Sequence, residues 1–287
     1  MQSKLTIGKT YREGKKILSE AGNECAAFDS AYLFKKAFGF DRQYVLVHSQ
    51  DTADKKCAEQ YIKYINQRAA GRPLQYILGS WPFMELNLSV GEGVLIPREE
   101  TELLVRTASK MLNGKIRPRI LDLCSGTGAV ALSLAQVFTD ADITAVEFYD
   151  DALKYLNCNI KNTGFNVKAV KLDVLKAESA EKFSDLDIIV SNPPYVEKSE
   201  IPILQTEVQK EPKTALDGGE DGLNFYRAIS EYWFPKLKYG AAAAVEIGEG
   251  QADKVSEFFI SAGLSNIRVL KDFNNIERVV AGIKSND

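Results

Sequence analysis

The sequence predicts an α/β protein: a mostly parallel sheet with helices on both faces, preceded by a small helical bundle and a hairpin linker. Three observations point to it. Beyond Arg119, short apolar runs alternate with helix-length segments, as RILDL, ITAVE, VKAVKL, DIIVS and AAAAVEI. Such alternation marks parallel strands joined by helical crossovers. Gly126 and Gly128 stand where the first of these runs gives way to a helix. Ahead of that region, residues 1–70 have helical periodicity and few β-branched residues.

Taken in order, stretches around residues 8–20 and 24–38 read as helices. A further helix is expected to take Asp51 or Thr52 as its cap, to run through Cys57, Tyr61, Tyr64, Ile65 and Arg68, and to stop at Gly71. His48, the one histidine, is expected to pack or cap within this bundle. From Gln75 to Ile96 the pattern changes to short strand-like runs punctuated by Gly79, Pro82, Gly91 and Gly93, which reads as a hairpin. The strands then follow, with helices opening near Ala129 and Asp151 and another through Phe225 to Phe234. The expected division is 1–73 helical, 74–98 linker and 99–287 sheet domain.

Composition excludes several functions. The chain has 287 residues, with 36 Lys/Arg against 39 Asp/Glu and a formal net charge of −3. Residues 1–80 hold 13 Lys/Arg against 8 Asp/Glu, a surplus of five, which leaves 23 against 31 in the rest. An acidic sheet domain does not suit a dedicated duplex DNA binder. Cys25, Cys57, Cys124 and Cys158 form no CxxC pair, and with a single histidine no metal site is expected. The amino terminus lacks an apolar signal core, and the longest apolar run is far too short to span a bilayer. A cytoplasmic, water-soluble protein is expected.

The first functional motif is LDLCSGTGAVA, from Leu121. A buried strand ends at Leu123, and Gly126 and Gly128 let the backbone approach a ligand closely. The helix that follows offers oriented N–H groups. Strand ITAVE ends in Glu147, 19 residues after Gly128 and placed to accept hydrogen bonds from both hydroxyls of a ribose. Together these favour an adenosine-type cofactor, either NAD or S-adenosylmethionine. Asp122, inside the glycine motif, and Asp173, after the third strand, favour the latter.

The second motif is NPPY, Asn192 to Tyr195, at the carboxyl end of DIIVS. Its chance appearance in such a chain is on the order of one in a thousand. It suits methyl transfer to a planar nitrogen, whose delocalised lone pair makes it a poor nucleophile. Asn192 offers a side-chain oxygen and Pro193 a backbone carbonyl as acceptors for the two N–H hydrogens. Pro193 and Pro194 fix φ and remove backbone donors, and Tyr195 can stack on the planar group. No histidine base is required, because the proton becomes acidic only as the methyl arrives.

The motifs GRPLQYILG from Gly71, VLIPREETELLV from Val94, DLCSGTGAVAL from Asp122, DIIVSNPPYV from Asp187, EPKTALDGGEDGL from Glu211, EIGEGQ from Glu246 and RVV from Arg278 resemble those of the PrmC/HemK family. These are protein-(glutamine-N5) methyltransferases that modify class 1 peptide-chain release factors. The resemblance covers nearly the whole chain. It implies a Rossmann-like, seven-stranded class I S-adenosylmethionine-dependent methyltransferase domain whose last strand is antiparallel. It also implies S-adenosylhomocysteine as product, and the glutamine of the release factor's Gly-Gly-Gln loop as target.

Residue by residue, the resemblance implies that Cys124, Ser125, Gly126, Thr127 and Gly128 wrap the methionine part of the cofactor, that Glu147 holds the ribose, that Asp173 and Val174 border the adenine, and that Asn192 also contacts the cofactor. Asn192, Pro193, Pro194 and Tyr195 would hold the target amide, with Pro97 and Arg98 at the mouth of the site. Glu211, Pro212 and Leu216 would belong to a loop that covers the substrate. Three positions depart from the family pattern: Cys124 where a small residue is usual, Glu147 where Asp is usual, and Val174 where an aromatic is usual. Residues 1–73 would recognise the protein substrate. Three rival readings are an adenine-N6 methyltransferase on DNA or RNA, an NAD-dependent oxidoreductase, and a non-catalytic scaffold.

Overall fold

The computed structural model describes residues 5–286. The chain forms two compact units: one takes the chain up to Ser80 together with Gln205–Lys210, the other Trp81–Leu204 and the chain from Glu211 onward.

The first unit holds α1 (Ile7–Glu20), α2 (Ala26–Phe38), α3 (Arg42–Val47), α4 (Lys55–Ala69) and α5 (Leu74–Leu78). Its core is Leu18, Leu33, Phe34, Tyr61 and Ile65, all essentially inaccessible. Two sequence expectations are corrected. Helix α4 is capped by Asp54, whose side chain accepts from Cys57 N at 2.9 Å. Asp51 and Thr52 are unavailable because their backbone pairs with the start of the chain: Ile7 N donates to Asp51 O at 3.0 Å, and Thr6 and Thr52 form an antiparallel bridge. The QYIL run, read as strand, is helix α5, ended by Gly79 in the left-handed region at φ 79°. His48 stacks on Tyr44 at 4.0 Å between centroids, and its Nδ1 lies 2.8 Å from Asp51 Oδ2.

An ion triad, buried at Arg68 and Asp29 and half-exposed at Glu207, ties Gln205–Lys210 to this unit. Arg68 Nε donates to Asp29 Oδ2 at 2.5 Å, and its Nη2 donates to Glu207. Arg68 and Asp29 side chains are only 6% and 4% exposed. Replacing Arg68 by methionine keeps the bulk and leaves Asp29 a buried carboxylate with Asn23 Nδ2, at 2.7 Å, as its remaining side-chain donor. The expected loss is about 3 kcal/mol, read as a lower urea midpoint. An unchanged midpoint would contradict the assignment.

A hairpin, β1 (Ser80–Phe83) and β2 (Leu86–Ser89), leads into the second unit, which continues through α6 (Thr101–Met111), β3 (Arg119–Leu123), α7 (Ala129–Val137), β4 (Asp142–Glu147), α8 (Asp150–Thr163), β5 (Val167–Lys171), α9 (Ala177–Ala180), β6 (Leu186–Ser191), α10 (Asn224–Ala228), β7 (Leu237–Glu246), α11 (Ala252–Ser261), β8 (Leu264–Lys271) and β9 (Glu277–Lys284). Seven strands form one sheet in the order β5-β4-β3-β6-β7-β9-β8. Strands β3 to β7 run parallel and β9 is antiparallel to both neighbours. This is the seven-stranded sheet with an antiparallel last strand that the resemblance implied.

Alternate residues of each strand face opposite sides. Ile120, Ile143, Ile188, Val190 and Ala244 pack with Leu104, Leu132 and Leu156 of the helices on one face, and with Phe83, Leu86 and Leu88 of the hairpin. Leu121, Leu123, Val146, Ile189 and Val245 pack with Tyr226, Trp233, Val255 and Phe259 on the other. Because both faces are covered, β3 and β6 read as near-continuous apolar runs, interrupted by Asp122 and Asp187. That is why they stood out in the sequence.

Candidate active site

Strand order reverses between β3 and β6, and the carboxyl ends of strands flanking such a switch point open a crevice. The glycine loop follows β3, NPPY follows β6, Glu147 ends β4 and Glu246 ends β7, so the four lie together at the carboxyl ends of adjacent parallel strands. A cleft open to solvent lies there. Of the residues expected from sequence, Cys124, Ser125, Gly126, Thr127, Glu147, Asp173, Val174, Asn192, Pro194 and Arg98 line it. Gly128, Pro193 and Tyr195 do not. Gly128 sits at φ 83° against α8, and a Cβ there would come 2.6 Å from Leu156 Cδ1. Pro193 is buried in the loop. The Tyr195 ring lies beside Gly248, where an added Cβ would be 3.1 Å from Cδ2.

Glu147 is buried and ties the glycine loop to the end of β4. Its Oε2 accepts from Gly126 N at 2.9 Å, and its Oε1 accepts from Phe148 N at 2.8 Å and Tyr149 N at 2.9 Å. Cys124 takes a left-handed conformation at φ 58°, which a β-carbon disfavours. Glycine would adopt this conformation without that cost.

Asp122 lies beneath the start of α7. Its Oδ2 accepts from Ala131 N at 3.1 Å, whereas Oδ1 is buried with no partner among the described residues. Burial pushes this carboxyl up to about 7, the Glu147 charge pushes the same way, and Ser125 and Ala131 oppose them. A chamber with two buried carboxyl groups and an unpartnered acceptor suits a ligand carrying positive charge. S-adenosylmethionine, with its sulfonium, its ammonium and its ribose hydroxyls, fits this donor set. Asp173 accepts from Leu175 N at 2.9 Å, and the Val174 carbonyl accepts from Trp233 Nε1 at 2.9 Å. Both residues therefore sit in a fixed turn at the cleft wall.

On the NPPY side, Asn192 Nδ2 donates to Thr101 Oγ1 at 3.1 Å. Thr101 is the first residue of α6, and is itself buried. Glu246 is 2% exposed; burial pushes it up to about 7, while Thr101, Arg278 and Asn192 favour its charged form and Glu100 opposes it. Burial pushes the Tyr195 phenol up to about 12, and the Glu246 charge adds to this. Gln251 braces the loop from behind, its Nε2 donating to Tyr195 O at 3.0 Å and its Oε1 accepting from Gly248 N at 2.9 Å. Arg98 pairs with buried Glu211, whose Oε2 accepts from Ile96 N at 2.9 Å. Pro212 lines the cleft, and Leu216 is buried, its carbonyl accepting from Val196 N at 2.9 Å.

Sequence reasoning did not anticipate Phe148, Tyr149, Leu175 or Phe225, which also line the cleft. The signal for the first two was their place directly after Glu147, where a strand end meets the crevice. Both aromatic rings are exposed at its rim.

The PrmC N-terminal domain family matches residues 9–79, and the methyltransferase small domain family matches residues 99–220. A release factor glutamine methyltransferase of Clostridium acetobutylicum is 36% identical over 273 residues, 93% of this chain and 95% of the relative. Its counterpart in Caulobacter vibrioides is 32% identical over 287 residues, 98% and 97%. Among solved structures, a T. thermophilus 16S rRNA N2-G1207 methyltransferase in complex with AdoMet and guanosine shares the fold, with a TM-score of 0.51. It is 20% identical, and the match covers 71% of this chain and 49% of that one. The extent of the similarity to the first two proteins, over the motifs that build this cleft, decides the family: the chain belongs to the release factor glutamine methyltransferases, enzymes that depend on S-adenosylmethionine.

Proposed function

We propose that this chain methylates the side-chain amide nitrogen (N5) of the glutamine in the Gly-Gly-Gln motif of class 1 peptide-chain release factors, in the cytoplasm and without a direct nucleic-acid target. The observation that carries the reading is the placement of Asn192 and Pro194 in the wall of the same cleft as the glycine loop and Glu147. When bound, S-adenosylmethionine supplies an electrophilic methyl group on its sulfonium and leaves as S-adenosylhomocysteine.

The chain's own residues bind and aim. Cys124, Ser125, Gly126 and Thr127 cradle the methionine part, with Asp122 beneath and Gly128 turning the chain into α7. Glu147 accepts from the ribose hydroxyls while its backbone partners keep it in place. Asp173 and Val174 border the adenine, and Phe148 and Tyr149 supply the aromatic surface that Val174 lacks. The Asn192 side-chain oxygen and the Pro193 carbonyl accept the two N–H hydrogens of the target amide, which turns the face of its nitrogen toward the methyl group. Tyr195 contributes its ring beside the same loop, and Arg98, held by Glu211, stands at the mouth. Such alignment can supply roughly 7–11 kcal/mol of the barrier. Each hydrogen bond adds roughly 1–3 kcal/mol. The helical residues 1–73, with their surplus of positive charge, recognise the protein substrate.

Labelled S-adenosylmethionine incubated separately with a release factor and with duplex DNA tests this reading. Label is expected on the release factor alone. Label on DNA, or none on the release factor, would overturn it. Among the described residues no helix is long and apolar enough to cross a membrane.

A further inference from the structure

An acceptor at position 192 works only if the amide is turned the right way. Rotated by half a turn, the same side chain would present N–H groups to a substrate that itself offers N–H groups. Something must therefore consume the Asn192 amide hydrogens on the protein side. Strand register brings two groups there. Ser191 on β6 pairs with Val245 on β7, so Asn192, just past the end of β6, and Glu246, the last residue of β7, follow side by side. With Ser191 and Val245 on one face, they share the other. Thr101, at the start of α6, completes the group: its Oγ1 accepts from Asn192 Nδ2 at 3.1 Å. Thr101 is 4% exposed and Glu246 2%. Glu246 Oε2 is buried without a hydrogen-bond partner among the described residues.

We propose that Thr101 and Glu246 are positioning residues that set the amide orientation of Asn192. A carboxylate can only accept, whereas a hydroxyl both donates and accepts. With Glu246 drawing the Thr101 hydroxyl proton, Thr101 is left as an acceptor, and only the Nδ2 side of Asn192 can face it. Oδ1 then points to the target amide. Burial pushes the Glu246 carboxyl up to about 7, and the Thr101 hydroxyl, Arg278 and the Asn192 amide are the groups that favour its charged form. The proposal rests on the reading that Asn192 holds the target amide.

The test is a double-mutant cycle read by single-turnover methyl transfer to a release factor at saturating S-adenosylmethionine, with cofactor affinity measured by calorimetry. Thr101→Val keeps shape and removes the hydroxyl. It is expected to slow transfer about tenfold to a hundredfold with cofactor affinity within about threefold. Thr101→Ser is expected to retain most of the rate. Glu246→Gln, which can donate to Thr101, is expected to slow transfer with cofactor affinity kept. In an Asn192→Ala background, Thr101→Val is expected to change nothing further, an outcome that a merely structural role would not produce.

Thr101→Val transferring at the wild-type rate overturns the proposal, as does an equal loss in both backgrounds. If Thr101→Val fails to bind cofactor, Glu246→Gln decides: an undiminished rate overturns the proposal, and a slowed one upholds it. Wild-type transfer by Asn192→Ala alone would instead remove the reading beneath it.

Discussion

Asn192→Ala is expected to lower the single-turnover rate of methyl transfer to a release factor about a thousandfold or more, with the dissociation constant for S-adenosylmethionine nearly unchanged. The substitution removes the proposed acceptor of a substrate N–H and introduces no clash. It also frees the Thr101 hydroxyl that Asn192 Nδ2 occupies at 3.1 Å. Cofactor binding is spared because the acceptors proposed for ribose and methionine lie on β4 and in the loop after β3. Asn192→Asp separates acceptance from orientation. It keeps an oxygen of similar reach but loses the N–H bond to Thr101 and places a second carboxylate beside Glu246, so a partial defect is expected. Rapid-quench measurement of both variants checks this, and an alanine variant of near-wild-type rate would remove NPPY from the catalytic loop.

The second large effect is on affinity. Glu147→Ala is expected to weaken S-adenosylmethionine binding by about a hundredfold or more, because up to two charge-assisted hydrogen bonds to the ribose are lost at roughly 1.5–3 kcal/mol each. The structure adds a second loss. Without the carboxylate, Gly126 N, Phe148 N and Tyr149 N lose the acceptor that binds the glycine loop to the end of β4. Glu147→Asp, judged by ligand chemistry alone, would be tolerated. Its arm is one methylene shorter, and Gly126 N lies across the loop from the end of β4, so a measurable weakening is expected, smaller than for alanine. Calorimetric titration of the two variants decides between them, and unchanged binding by the alanine variant would take Glu147 out of the site.

What could be read in the sequence was local and periodic. The buried strands β3, β4 and β6 are predominantly apolar runs, and the α7 start at Ala129 follows from the glycine turn before it. Glu147 and Asn192 could be placed because the first ends, and the second directly follows, a recognisable strand. What could not be read depends on distant pairing. The α4 cap is Asp54 because Thr6, far away in sequence, engages Thr52. Helix α5 is five residues long, too short for any period to show. Arg68 and Glu207 are 139 residues apart, Arg98 and Glu211 113, and Asn192 and Thr101 91. No local pattern announces such pairs, and they set how the loop after β6 and the amide of Asn192 are held. The excursion of Gln205–Lys210 into the helical unit was likewise invisible.

The most direct test of the central claim is to locate the methyl group. A class 1 release factor incubated with the full chain and S-adenosylmethionine would be digested and its peptides sequenced by mass spectrometry. The account predicts a single added methyl on the side-chain nitrogen of the glutamine in the Gly-Gly-Gln motif, and none when that glutamine is replaced by asparagine or when Asn192 is replaced by alanine. Methylation at another residue, or methylation of that glutamine by the Asn192→Ala variant at the wild-type rate, would contradict it.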